Sequence, residues 1–157
     1  MREDQVWDLH VVEHELWVPW DGGAIPCTVW FGFAHGRKCY FVEPRSSQRF
    51  FDRGTYYGFP DDAERFAFFS KAALEFLLKT GKRPDVIHTH DWQTGLVPVL
   101  LYEIYSAAGL ADQRVCHTIH NFRHQGVTGP EILRATGLGK PDYFGAPDRM
   151  GDPYDRH

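Results

Sequence analysis

Residues 84–119 read PDVIHTHDWQTGLVPVLLYEIYSAAGLADQRVCHTI and contain two kinds of pattern in succession. The first seven residues and the last six, Arg114–Ile119, are short β-type runs that predict strands. The residues between Asp91 and Ala108 predict a helix that either begins late or kinks at Pro98, and Gly109 ends it. A strand, a helix and a second strand in this order form a βαβ unit, which implies a parallel sheet.

The segments before residue 44 are rich in β-branched and aromatic residues and predict a β-hairpin region. Its strands are expected at His10–Val18, Ile25–Phe33 and Lys38–Val42. Pro19 is expected to end the first of them. Residues 44–60 are polar, contain glycine and aromatic residues, and predict a long surface loop. Loops of this length in a compact domain are usually functional or mobile.

The next element is a predicted helix that begins at Asp61 or Asp62 and ends at Gly81. Asp61 and Glu64 have the spacing of a capping box. Four apolar residues recur at helical spacing and are expected to face the core: Phe66, Phe69, Ala73 and Leu77. The predicted fold class is therefore α/β, with a parallel sheet and a hairpin region near the N-terminus.

The composition excludes several classes of protein. The chain has 157 residues, 43% hydrophobic and 24% charged, which are ordinary proportions for a globular domain and not those of collagen, coiled coils or disordered chains. The net charge is −4 and no basic stripe is visible, so we expect no nucleic-acid partner. No apolar run approaches the ~20 residues of a membrane span, so we expect no membrane partner. The three cysteines predict neither a disulfide framework nor a zinc finger, which suits a reducing compartment.

Polar side chains follow both strands of the predicted βαβ unit. The first strand ends in the sequence HTHDWQ (residues 88–93) and the second in HTIHN (residues 117–121). Ligands of open parallel sheets bind at the carboxyl ends of strands, so both clusters are expected at one crevice. Its residues would be His90, Asp91, Trp92, His120 and Asn121. A carboxylate, an amide, imidazoles and an indole suit a ligand rich in hydroxyl groups, such as a sugar.

Other interpretations of the same residues stay open. His88 and His90 lie on one face of a strand, and His120 and His124 are four residues apart, so a metal site is conceivable. The loop that contains Gly126 weakens this interpretation. The simpler roles are hydrogen-bonded core residues for His88 and His117, helix N-capping for Asp91 and core packing for Trp92. No phosphate-binding glycine loop and no nucleophile elbow is present.

Three motifs in order resemble the family of bacterial glycogen synthases and plant starch synthases, most of all its cyanobacterial-type sequences. Along the chain they are Tyr57-Gly58 with DDAERFAFF (61–69), RPDVIHTHDWQTGLVP (83–98) and TIHNFRHQG (118–126). The resemblance implies the GT-B fold, in which two Rossmann-like domains face each other across a cleft. It also implies transfer of glucose from ADP-glucose to the non-reducing end of an α-1,4-glucan. This family retains the anomeric configuration and uses no metal or other cofactor.

The resemblance also implies roles for the residues that match its motifs. His120 and Asp91 would be catalytic: His120 would hydrogen-bond the donor glucose near its 6-hydroxyl and stabilise the developing positive charge. Asp91 and Trp92 would line the glucose and acceptor side, and Asn121 would help to position the donor sugar. These roles amount to positioning and electrostatic stabilisation.

The acceptor side of the implied site draws on further residues. Tyr57, or Tyr56 beside it, would contact the glucan from the long loop. Gln93 and Gln125 are expected wall residues. None of these positions implies a metal ligand, and ADP-glucose is the expected donor substrate.

Two departures from the family shape the expected domain organisation. The chain has neither the Lys-x-Gly-Gly-Leu loop nor the nucleotide-binding second domain. We therefore expect residues 1–157 to be one partial N-terminal catalytic domain, without its first βα unit and inactive in isolation. The alternatives are a non-catalytic glucan-binding module and a metal-dependent hydrolase that uses the His-x-His-Asp cluster. The expected location is the bacterial cytoplasm, or the plastid stroma for a plant or algal protein.

Overall fold

A computed structural model describes residues 5–139. Its N-terminal part is an antiparallel sheet of three strands in the order β1-β2-β3: β1 (Val6–Trp20), β2 (Gly23–Ala34) and β3 (Arg37–Pro44). The predicted hairpin region is confirmed, but its strands are longer than expected. Pro19 does not end β1 and lies opposite Ala24 near the turn. Because β1 is an edge strand, a missing N–H is tolerated there.

Helix α1 (Asp62–Thr80) follows the long loop and ends at Gly81, as predicted. Gly81 has a φ of 68°, a left-handed conformation that glycine adopts without strain. The predicted capping box is wrong, because Asp61 makes no side-chain capping bond. Its two carboxylate oxygens instead each lie 2.6 Å from Arg53 nitrogens. The stronger ion pair with the loop therefore takes the side chain that would cap the helix.

The core lies on two sides of α1. One cluster packs α1 against the antiparallel sheet and includes Phe68 and Ala72, while the other includes Leu74 and packs against the following helices. The four residues that were predicted to form the core face are only half-buried: Phe66, Phe69, Ala73 and Leu77. The prediction assumed one apolar stripe, as on a surface helix. A helix that is covered on two sides buries residues all around its axis.

The predicted βαβ unit is confirmed. Strands β4 (Val86–His90) and β5 (Arg114–Thr118) pair in parallel, with His90 opposite Thr118. The connection begins with a 3-10 turn and is then helical in three consecutive pieces: α2 (Val97–Leu100), a π-helical segment (Leu101–Tyr105) and α3 (Ser106–Ala108). Pro98 lies in the first turn of α2, where a missing N–H costs nothing, so the helix begins late.

A short helix, α4 (Glu131–Thr136), was not predicted. Its six residues are too few to show a clear period. The buried Lys71 of α1 donates to the Thr136 carbonyl at 2.6 Å, which places a cation at the C-terminus of α4. The loop predicted after residue 137 lies largely outside the described residues. Within residues 5–139, no helix has the length and apolar character of a membrane span.

Candidate functional site at the carboxyl ends of β4 and β5

Asp91 joins the two strand ends through its backbone and its side chain. Its N–H donates to the Thr118 carbonyl at 2.9 Å, and its Oδ1 accepts the N–H of His120 at 2.6 Å. The predicted N-cap role is wrong, because the carboxylate is bonded to His120 and makes no capping bond. Asp91 has a φ of 55°. Such backbone strain in a non-glycine residue costs about 1–3 kcal/mol and is typical of functional sites.

Three imidazole rings lie in a row along this edge. Nδ1 of His90 lies 3.0 Å from Nε2 of His120, and the two rings are inclined by only 20°. The His88 ring is 4.3 Å from that of His90, and its Nε2 lies 2.8 Å from the Thr118 hydroxyl. His120 is therefore held at its backbone by Asp91 and at its ring by His90.

The arrangement does not support the metal-site interpretation. His90 and His120 direct ring nitrogens at each other instead of at a common point. Among residues 5–139, no group of three or more histidine, cysteine, aspartate or glutamate side chains has the geometry of a metal site. His88 and His117 are hydrogen-bonded as expected, but both are exposed and neither is a core residue.

Trp92 combines the two roles that its sequence position left open. It is half-buried, and its indole meets Phe66 edge-on with ring centroids 5.3 Å apart. Gly126 lies against the indole so closely that a Cβ there would be 2.6 Å from Cδ2. Trp92 also lines an open pocket of about 410 Å³ with residues 123–127. One part of the ring thus packs in the protein, and another forms a pocket wall.

The predicted amide residues lie around this pocket and beside it. Gln125 lines the pocket and donates from Nε2 to the Phe122 carbonyl at 2.9 Å. Asn121 follows His120 and accepts the Arg123 N–H through Oδ1 at 2.9 Å. Gln93 is half-buried in the turn between β4 and α2. The structure thus brings Asp91, Trp92, His120, Asn121 and Gln125 to one edge, with Gln93 in the adjoining turn.

Tyr57 lies apart from these residues, on the loop before α1. Its side chain is 67% exposed, and that of Tyr56 is 88% exposed. The loop is not purely a surface loop, because Phe50 is fully buried in the core. The connection to the strand ends runs through α1, where Arg65 bonds the Tyr56 carbonyl at 3.2 Å and Phe66 touches Trp92. Sequence reasoning missed Arg65, because an arginine on a helix is usually solvated.

Comparisons with known proteins identify the family of this chain. The profile of the starch synthase catalytic domain family matches residues 1–154. The chain belongs to this family. It is 64% identical over 154 residues to "Glycogen synthase 1" of Synechococcus sp. (strain JA-3-3Ab), covering 98% of this chain and 31% of that protein. It is 60% identical over 157 residues to "Glycogen synthase 2" of Methylococcus capsulatus, covering 100% of this chain and 32% of that protein.

A solved structure extends the comparison to the fold. The catalytic domain of Starch Synthase IV from Arabidopsis thaliana, bound to ADP and acarbose, matches with a TM-score of 0.84 and 41% identity. The match covers 90% of this chain and 30% of that one. The predicted mixed α/β fold of a GT-B starch synthase domain is therefore confirmed. This chain spans about a third of the length of the glycogen synthases that it matches. These relatives support neither the hydrolase nor the non-catalytic module.

Proposed function

We propose that this starch synthase family chain supplies the sugar-binding side of a retaining glucosyltransferase. The reaction breaks the bond between the anomeric carbon of ADP-glucose and the diphosphate. A new bond forms to the oxygen of the 4-hydroxyl at the non-reducing end of an α-1,4-glucan, the proton of that hydroxyl passes to the departing diphosphate, and ADP leaves. The reaction as proposed needs no metal or other cofactor. The observation that carries the proposal is the bond between Asp91 and the His120 N–H, 2.6 Å long, at the carboxyl ends of two parallel strands.

On the donor side, His120 and Asp91 form a preorganised polar edge. Positive charge develops on the glucose ring as the bond to the diphosphate breaks, and a fixed carboxylate and imidazole stabilise it without reorganising. Asp91 is already held by the Thr118 carbonyl and the His120 N–H. Asn121 uses Oδ1 within its own loop, so its Nδ2 is the donor that it would offer to a sugar hydroxyl.

On the acceptor side, aromatic rings and amides would bind the glucan. The Trp92 indole and Gln125 line one pocket, in which an aromatic ring can cover the apolar face of a pyranose. Tyr57, with Tyr56 beside it, would contact the next sugars from the loop before α1. Gln93 would complete the wall in the turn after β4.

The test is glucose transfer by the polypeptide as its source organism makes it, with radiolabelled ADP-glucose and maltoheptaose. We expect incorporation that His120→Ala lowers in kcat by about 10²-fold, as when one group that stabilises a transition state is removed. His117→Ala is the matched control, because this exposed imidazole lies three residues earlier, within β5, and bonds Thr89. Equal activity of the two variants, or no incorporation by the wild type, would contradict the proposal.

The relatives also bear on location. We propose the cytoplasm for a bacterial source and the plastid stroma for a plant or algal one. Support comes from the bacterial glycogen synthases and from a 41% identical relative in Arabidopsis thaliana, "Probable starch synthase 4, chloroplastic/amyloplastic".

A further inference from the structure

We propose that Arg65 is a positioning residue for the glucan acceptor: it holds the backbone on both sides of Tyr57, directly and through Asp62. This inference rests on the proposed function, since it assigns an acceptor-binding role to the Tyr56-Tyr57 segment. Arg65 itself touches no substrate in this proposal. It acts through the loop that it anchors.

The first observation is the burial of the Arg65 guanidinium. Its side chain is only 1% exposed, and such a buried cation is costly unless it is fully paired. Nε donates to the Phe50 carbonyl, Nη1 to the Asp62 carboxylate and Nη2 to the Tyr56 carbonyl. A planar guanidinium donates from three separate nitrogens in fixed directions, whereas the three N–H groups of an ammonium all diverge from one nitrogen. The loop backbone is therefore built around this side chain.

The second observation is that Asp62 bonds both Arg65 and the loop backbone after Tyr57. Besides pairing with Arg65, it accepts through Oδ2 the N–H of Gly58 at 2.5 Å and that of Phe59 at 3.1 Å. The carbonyl before Tyr57 and the amide after it are thus both bonded to one ion pair. The side chains of the two tyrosines are nevertheless exposed. A pinned backbone with exposed aromatic side chains is suited to presenting those rings to a ligand.

The third observation connects this loop to the rest of the acceptor side. The guanidinium carbon of Arg65 lies 5.0 Å from the Phe59 ring centroid and 5.5 Å from that of Phe66. Phe66 meets the Trp92 indole edge-on at 5.3 Å. Arg65 therefore fixes the Tyr56-Tyr57 segment relative to the tryptophan that lines the pocket.

Arg53 provides a matched control within the same loop. It pairs with Asp61 through two bonds of 2.6 Å, so its ion pair is as well formed as that of Arg65. Its other bonds end at the carbonyls of Gln48 and Arg49 and do not reach the backbone at Tyr57. Both arginines lie over the Phe59 ring, Arg53 at 4.9 Å from its centroid, so the bonds to the Tyr56 carbonyl and to Asp62 are what distinguish Arg65.

The experiment compares Arg65→Lys with Arg53→Lys in the natural polypeptide. Calorimetry gives the Kd for maltoheptaose without donor, and kinetics give KM for each substrate. We expect Arg65→Lys to raise Kd and acceptor KM about tenfold, because a small misplacement of a positioning group is costly, with donor KM within about twofold. Arg53→Lys should resemble the wild type. Unchanged acceptor binding in folded Arg65→Lys, or an equal rise in donor KM, would overturn the proposal.

Amide hydrogen exchange separates this proposal from the proposed function. Exchange at Gly58 and Phe59 should accelerate in Arg65→Lys and not in Arg53→Lys. If the wild type binds maltoheptaose but transfers no glucose, the proposed function fails while Kd and exchange still test Arg65. A wild type that binds no maltoheptaose overturns the positioning role. Should Arg65→Lys fail to fold, Asp62→Asn tests the same contacts and should weaken acceptor binding in the same direction.

Discussion

Asp91 shows how one residue can serve the fold and the proposed chemistry together. Its position between a strand and a helix predicts a cap, yet its carboxylate reaches the N–H of His120, two residues past the end of β5. Sequence spacing cannot show this, because the contact spans 29 residues and forms only when β4 and β5 pair.

Asp91→Asn is expected to separate these two roles. Asparagine tolerates a positive φ, and its amide oxygen can still accept the His120 N–H, so the thermal unfolding midpoint should change little. The negative charge is lost, and kcat should fall about 10²-fold. Wild-type kcat in this variant would contradict the electrostatic role of Asp91. Calorimetry and steady-state kinetics give the two readouts.

Gly126→Ala is expected to displace the Trp92 indole. The added Cβ would lie 2.6 Å from Cδ2 and the φ is +64°, so steric overlap adds to backbone strain. We expect a changed tryptophan fluorescence spectrum and weaker maltoheptaose binding. Gly36→Ala is the control, because its φ is +73° and nothing lies within 4 Å of an added Cβ. Equal effects of both substitutions would mean that strain alone is responsible.

At the scale of elements, the sequence predicts what short-range patterns can determine. Strands β4 and β5 follow from their β-branched residues and from the proline and glycine that flank them. Pro98 predicted either a late start or a kink, and the structure shows the late start. The buried face of α1 was not predictable in this way, because it depends on what packs on each side. Lys71 illustrates this: its spacing places it on a polar face, yet it is buried against the end of α4.

The thiol of Cys27 tests the packing of α1 on the antiparallel sheet. Burial raises the pKa of Cys27 to about 12, so almost no thiolate exists at pH 8. Cys116 on β5 is exposed. With iodoacetamide at pH 8, mass spectrometry should find Cys116 modified quickly and Cys27 only after addition of denaturant. Rapid native labelling of Cys27 would mean that this core opens.

At the scale of the whole molecule, the candidate site forms where the ends of β4 and β5 meet, and the Tyr56-Tyr57 segment is connected to it through α1. Parallel pairing brings His120 to Asp91, which the carboxyl-end rule for open sheets made predictable. The contacts that connect the Tyr56-Tyr57 segment to Trp92 run through Arg65 and Phe66 inside the protein. These contacts were not predictable, because nothing in the sequence distinguishes a buried arginine on a helix from a solvated one.

The isolated 157-residue chain is expected to transfer no glucose. It spans about a third of the length of its glycogen synthase relatives. Its net charge of −4 does not favour the binding of a nucleoside diphosphate, which is an anion. The same radiolabel assay applied to the purified chain checks this. Incorporation above the level without protein would show that the described edge is sufficient for catalysis.

One product analysis separates a retaining transferase from every alternative. The natural polypeptide is incubated with maltoheptaose and ADP-glucose carrying ¹³C at the anomeric carbon, and carbon NMR follows the labelled position. We predict a new α-1,4 linkage at the non-reducing end, formed with ADP release. A β linkage would contradict retention of configuration, and labelled free glucose as the only product, or label that stays in ADP-glucose, would contradict the transferase assignment.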